Sequence, residues 1–113
     1  MAVTIKQLGA GQLGASANVD GLYSAVASGK AQIVKNIRFT NTSTSAAVTL
    51  NLLLHAQSAY RQISPVNLVL PLGSVYIEDT EITLEATNKF KATTGATGGP
   101  VDWVISGVER EQS

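Results

Sequence analysis

Apolar and polar residues alternate with a period of two along most of this chain, and helical spacing is hard to find. From Ile33 the apolar positions Ile33, Ile37 and Phe39 interleave with Asn36, Arg38 and Thr40, while Val34 and Lys35 break the rhythm. After Asn41 to Ala46, a stretch of Asn, Thr, Ser and Ala, the series Val48, Leu50, Leu52, Leu54 alternates with Thr49, Asn51 and His55. These two runs predict neighbouring half-buried strands joined by turn-forming residues. Val66, Leu68 and Leu70 then share a face up to Pro71-Leu72-Gly73. Val75 and Ile77 alternate with Tyr76 and Glu78, which places Tyr76 on a polar face; Ile82 and Leu84, Phe90 and Ala92, and Val101, Trp103 and Ile105 repeat the pattern. With Leu22 to Val26 this makes about eight short strands separated by Gly, Pro, Asn and Ser. The predicted fold is all-β: a single antiparallel β-sandwich or jelly roll.

Three segments fall outside that rhythm. Val3 to Leu8 reads as a small strand, and GAGQLGASAN, Gly9 to Asn18, is too rich in Gly and Ala to bury much, so residues 1–18 are expected to form an N-terminal strand and arm. Leu8, Gln12 and Leu13 are its candidate contacts. Residues 19–108 make the sandwich, and 109–113 a charged C-terminal tail. AQSAYRQI, Ala56 to Ile63, fits a helical turn or a wide loop equally well.

Composition then narrows the possible tasks. The 113 residues suffice for one core and no second lobe. Only 14% are charged and the formal net charge is zero, whereas Ser, Thr, Asn and Gln supply 33 residues. A surface with so little charge to hold copies apart favours association, so a homo-oligomer is expected. The eight Lys and Arg are scattered without a basic run, which disfavours nucleic acid. No aliphatic run approaches the ~20 residues that span a bilayer, and the N-terminus lacks a secretory pattern, so no membrane partner and a cytoplasmic origin are expected. Cysteine is absent, which removes disulfides, thiolate nucleophiles and Cys-ligated zinc.

Little chemistry remains. His55 is the one histidine, at a strand end, without a G-x-S-x-G nucleophile pattern elsewhere. Glu78, Asp79 and Glu81 lie close together, but alternation sends the first two to opposite faces, and a solvated turn is the better reading. Gly95 to Pro100, GATGGP, and Ser28-Gly29-Lys30-Ala31 lack the residues of a phosphate loop and read as turns. No enzyme activity, metal or cofactor is expected. Trp103 fits the core, whereas Tyr60 with Arg61, and Tyr76, are the aromatics most available to a partner.

The stretch LYSAVASGKAQIVKNIRFTNTSTSAAVTLNL, an apolar strand closing on PLG, and the later ITLEATNKFKATTG together resemble small virion proteins of tailed bacteriophages. In those proteins an LYTVPAGK-like turn leads into a V-x-N-I-x-x-x-N-x-S strand and loop. Leu22, Tyr23, Gly29, Lys30, Val34, Asn36, Ile37, Asn41 and Ser43 match; Ala25-Val26-Ala27-Ser28 stands where that turn has its rigid proline. The resemblance implies a structural virion component, foremost a capsid decoration protein that bridges subunits of a major capsid protein. Tail, neck or fibre association is the second expectation, and a carbohydrate-binding module using Tyr60, Tyr76 or Trp103 the third. Asn41 and Ser43, at the neutral loop, join Leu8, Gln12, Leu13, Tyr60, Arg61 and Tyr76 as candidate interface residues.

Overall fold

A computed structural model describes the backbone of residues 3–23, 25–43, 45–97 and 100–111, with side chains from Gln7 onward. The described residues form ten strands packed as two antiparallel sheets. Sheet A runs β1 (Val3–Leu13), β10 (Val101–Glu111), β3 (Lys30–Asn41) and β7 (Val75–Glu78), and β8 (Ile82–Leu84) extends the β7 margin along β3. Sheet B runs β2 (Asn18–Asp20), β9 (Lys89–Thr94), β4 (Val48–Ala56) and β5 (Ala59–Gln62), with β6 (Leu68–Leu70) also on β4. Ile37, Phe39, Leu50, Leu52, Phe90 and Ile105 are sealed between the sheets at 0% exposure. The alternating pattern and the sandwich it predicted are therefore observed.

The break in rhythm at Val34 and Lys35 has a geometric cause. The ladder between β3 and β10 pairs Asn36 with Ser106 but Val34 with Gly107, so Lys35 is the extra residue of a β-bulge. The bulge moves the inward phase from Gln32 and Val34 to Ile37, Phe39 and Asn41. A Cβ on Gly107 would stand 2.2 Å from the Ile33 carbonyl oxygen, so the backbones approach too closely there for any other residue.

The N-terminal arm is corrected. β1 pairs with β10 over its whole length, from Val3 with Arg110 to Leu13 with Val101, and it belongs to its own sheet. Its glycines are there for room. A Cβ on Gly9 would lie 2.9 Å from the Tyr23 ring, and one on Gly11 would lie 3.0 Å from the Trp103 indole. Two bulky aromatics thus supply the side chains that the strand lacks.

Three further expectations change. Residues 22–26 contribute no strand among those described. The segment from Ala56 is neither helical nor wide: Gln57 and Ser58, at φ 53° and 62°, make a two-residue turn of the I′ kind between β4 and β5. The supposed C-terminal tail is the end of β10, with Glu109 to Glu111 paired to Gln32, Ala31 and Lys30; Gln112 and Ser113 lie outside the described residues.

Candidate interaction surfaces

One end of the sandwich is built without charge. The loops 14–17, 42–47, 71–74 and 95–100 contain no Asp, Glu, Lys or Arg. Main-chain bonds tie them together: Ser16 N–H to the Gly95 carbonyl at 2.7 Å, Thr42 N–H to the Pro100 carbonyl at 3.0 Å, and Gly73 N–H to the Asn41 carbonyl at 3.1 Å. Asn41, expected at an interface, is instead fully buried at their hub. Its Nδ2 donates to the carbonyls of Leu70 (2.9 Å), Ala46 (3.2 Å) and Pro71 (3.3 Å), and its Oδ1 accepts from Ser43 N–H at 2.9 Å. Ser43 Oγ in turn accepts from Ser45 and Ala46 N–H. These two residues hold the loop shape.

The other expected contacts scatter. Leu8 and Leu13 are buried in the core, and Gln12 is exposed and donates to Asp102 Oδ1 at 2.8 Å. Tyr60 is 42% exposed on the outside of sheet B, yet its ring is already engaged: the Lys91 ammonium sits 4.8 Å from its centroid and the His55 ring packs edge-on at 4.8 Å. Its hydroxyl donates to Asp20 Oδ2 at 2.8 Å. That bond raises the phenol and, with Lys89, lowers the Asp20 carboxyl from its ordinary value. Arg61 is exposed beside it.

Tyr76 turns the other way from expectation. It pairs with the buried Phe39 and packs on the core, its hydroxyl donates to Glu78 Oε1 at 2.9 Å, and burial, then that bond, pushes its pKa up to about 12. Val75 and Ile77 therefore face out, opposite Thr40 and Arg38. The phase was misread because Tyr and Val both suit either face of a strand.

This inversion exposes a surface that the alternation had assigned to the core. Ile77, Arg38, Val104 and Ala10 form one row across the outside of sheet A, and Val75, Thr40, Asp102 and Gln12 form the next. Around the margin, Val69 faces out from β6 opposite Thr49, and Val66 and Leu72 project from the flanking loops. Val66, Val69, Leu72, Val75, Ile77 and Val104 are each between 38% and 71% exposed. Single exposed apolar residues are ordinary; here Val75, Ile77 and Val104 share the outer face of sheet A, with Arg38 between Ile77 and Val104, while Val69 faces out from sheet B.

A cleft of about 340 Å³ opens at the charged end between Tyr23, Lys30, Gln32 and Glu109. Its polar groups serve one another: Tyr23 Oη donates to Gln32 Oε1 at 3.1 Å, Gln32 Nε2 to Glu109 Oε2 at 2.9 Å, and Lys30 stands 3.7 Å from Glu109. Burial, then the Glu109 charge, pushes the Tyr23 phenol above its ordinary value. Among the described residues no buried side-chain nitrogen or oxygen is orphaned, and no group of three or more His, Asp or Glu gathers to hold a metal.

No family model and no curated protein matches this chain. Among solved structures it is similar to the core of Drosophila NLP, whose structure gave insight into pentamer formation and histone binding. That likeness spans 94% of this chain and 100% of the other at 17% identity, with a TM-score of 0.43, too distant to transfer a partner. The expectation of a phage capsid decoration protein, with its tail, neck and fibre variant, is corrected: none of the comparisons points to a virion protein. The carbohydrate reading falls on geometry, since Trp103 is buried, Tyr76 faces the core and Tyr60 has both a cation and a ring packed against it.

Proposed function

We propose that this chain is a non-catalytic β-sandwich that works by associating with copies of itself into a structural assembly. The carrying observation is the set of exposed apolar side chains on a protein of zero net charge: Val75, Ile77 and Val104 on the outer face of sheet A, and Val66, Val69 and Leu72 on and beside β6. Burying such side chains releases ~25 cal/mol for each Å² of apolar surface removed from water. The choice of a second copy as partner follows from charge. In a two-fold contact a patch meets itself, so every charge near the axis meets its like; Arg38 is the one charged residue in the row that joins Ile77 to Val104. A chain with few charges and no excess of either sign has little to oppose such a contact.

Light scattering over a micromolar to millimolar range tests this reading. A mass that rises above the 11.8 kDa of one chain supports it, and Val69→Asp with Ile77→Asp lowers that mass while the fold persists. A mass fixed at one chain throughout the range overturns it.

A further inference from the structure

The two sheets have four margins, and three are broken into short pieces. On sheet A, β7 and β8 span four and three residues and are separated by Asp79, Thr80 and Glu81. On sheet B, one margin is the three-residue β2, and the other is split between β5 and β6, with Pro65 in the intervening loop. Such interruptions, charges and prolines are how natural sheets keep their edges from pairing with other chains. The fourth margin is different. β1 runs 11 residues without proline, and among the described residues it pairs with β10 alone.

Its two halves are not equivalent. The ladder to β10 is irregular between Gln7 and Gly9, where Leu8 forms a bulge; from Gly9 to Leu13 the register is unbroken. In that regular half the inner positions Gly9 and Gly11 carry no side chain, and the outer positions Ala10 and Gln12 are small or neutral and exposed. Gln7 to Leu13 contains no charged residue. Among the described residues, the outer rim of main-chain N–H and C=O groups over Gly9 to Leu13 therefore has no strand paired to it and no charged side chain of its own.

We infer that the Gly9–Leu13 rim of β1 pairs antiparallel with the same segment of a second copy, joining two five-stranded sheets into one of ten strands. This rests on the self-association reading and names one of its contacts. Main-chain hydrogen bonds provide the affinity without a side-chain pocket. A copy is the fitting occupant because a two-fold antiparallel pair places this segment against itself, and it has no charge to repel its image. The row Ala10, Val104, Arg38, Ile77 then continues from one protomer into the next.

Hydrogen exchange read by mass spectrometry, alongside light scattering, tests the assignment. The variant Ala10→Lys with Gln12→Lys changes two exposed positions, and Lys at 12 keeps Asp102 as a neighbour, so its melting temperature should match that of the wild type. If the inference holds, Gly9–Leu13 amides gain protection as wild-type concentration rises, and the lysine variant loses that gain with its mass at least halved. A wild type that associates while β1 amides and the variant's mass stay unchanged overturns this contact and leaves self-association standing. A wild type that stays a single chain at every concentration overturns both.

Discussion

Asn41 shows how a single polar residue can carry a structure while seeming to offer a contact. Its amide donates to three carbonyls from two segments, Ala46 on one side and Leu70 and Pro71 on the other, so its removal strands the buried Leu70 acceptor and unpairs two part-buried ones. Leaving buried groups unsatisfied costs ~1–3 kcal/mol, which puts Asn41→Ala at about 2–3 kcal/mol of lost stability, measured by chemical denaturation. Thr42→Ala should cost under ~1 kcal/mol, because its hydroxyl bonds the Pro100 carbonyl in an exposed position. The two half-buried tyrosines make a prediction of their own. Tyr23 and Tyr76 both hold their protons more tightly folded than unfolded, Tyr23 through burial and Glu109, Tyr76 through burial and Glu78. A phenol raised in the folded state contributes stability that is complete below the unfolded value of ~10 and is lost as pH climbs toward the folded value. Stability should thus fall between pH 10 and about 12, the window set by Tyr76, and Tyr76→Phe should make that fall shallower in a melting series, Tyr23 supplying the remainder.

Among the elements, the turns hold conformations their residues resist. Thr87 sits at φ 73° as the third residue of a turn closed by Asn88 N–H to the Glu85 carbonyl at 3.0 Å. A positive φ at that place defines a type II turn, which favours glycine and penalises a β-branched residue. Ser58 carries a similar strain at φ 62° in the β4–β5 hairpin. Thr87→Gly and Ser58→Gly should each add about 0.5–1 kcal/mol, the relief of left-handed strain less the entropy of glycine, seen as a rise of a few degrees in melting temperature. The same residues explain what the sequence concealed. Gln-Ser is not one of the dipeptides that announce a hairpin, so the β4–β5 turn had no local signal. Central strands were legible because a core lines one of their faces, as Val48, Leu50 and Leu52 show. The Gly9–Leu13 half of β1 was not, because its bulk comes from elsewhere: the Trp103 and Tyr23 rings fill the space over Gly9 and Gly11, and no inspection of GAGQL alone reveals them. The outward phase of β7 was hidden for a related reason, since only the register against Phe39 and Arg38 decides which of Tyr76 and Ile77 turns inward.

Across the whole molecule, charge and neutrality occupy different places. The long 49 Å axis matches strands of 11 or 12 residues, and the four loops at one end are uncharged while Lys30, Glu85, Lys89, Glu109 and Arg110 gather toward the other. That neutral end, bounded by axes of 27 and 20 Å, is smaller than the ~800 Å² per partner that a stable interface buries, so association has to use the sides of the sandwich. The sides offer two surfaces on opposite margins of sheet A: the open rim of β1 and the outward Val75 and Ile77 of β7. Neither depends on ion pairs. Surface electrostatics are largely screened beyond ~3 Å at 1 M salt, whereas main-chain pairing and apolar burial are not. The assembly should therefore keep its mass from low salt to molar sodium chloride, and sulfate, which strengthens apolar burial, should shift the equilibrium further toward it. Sedimentation across a salt series measures this directly. Dissociation on adding salt would place the contact at the charged end, among Lys30, Lys89 and Glu109, and would remove both margins from consideration.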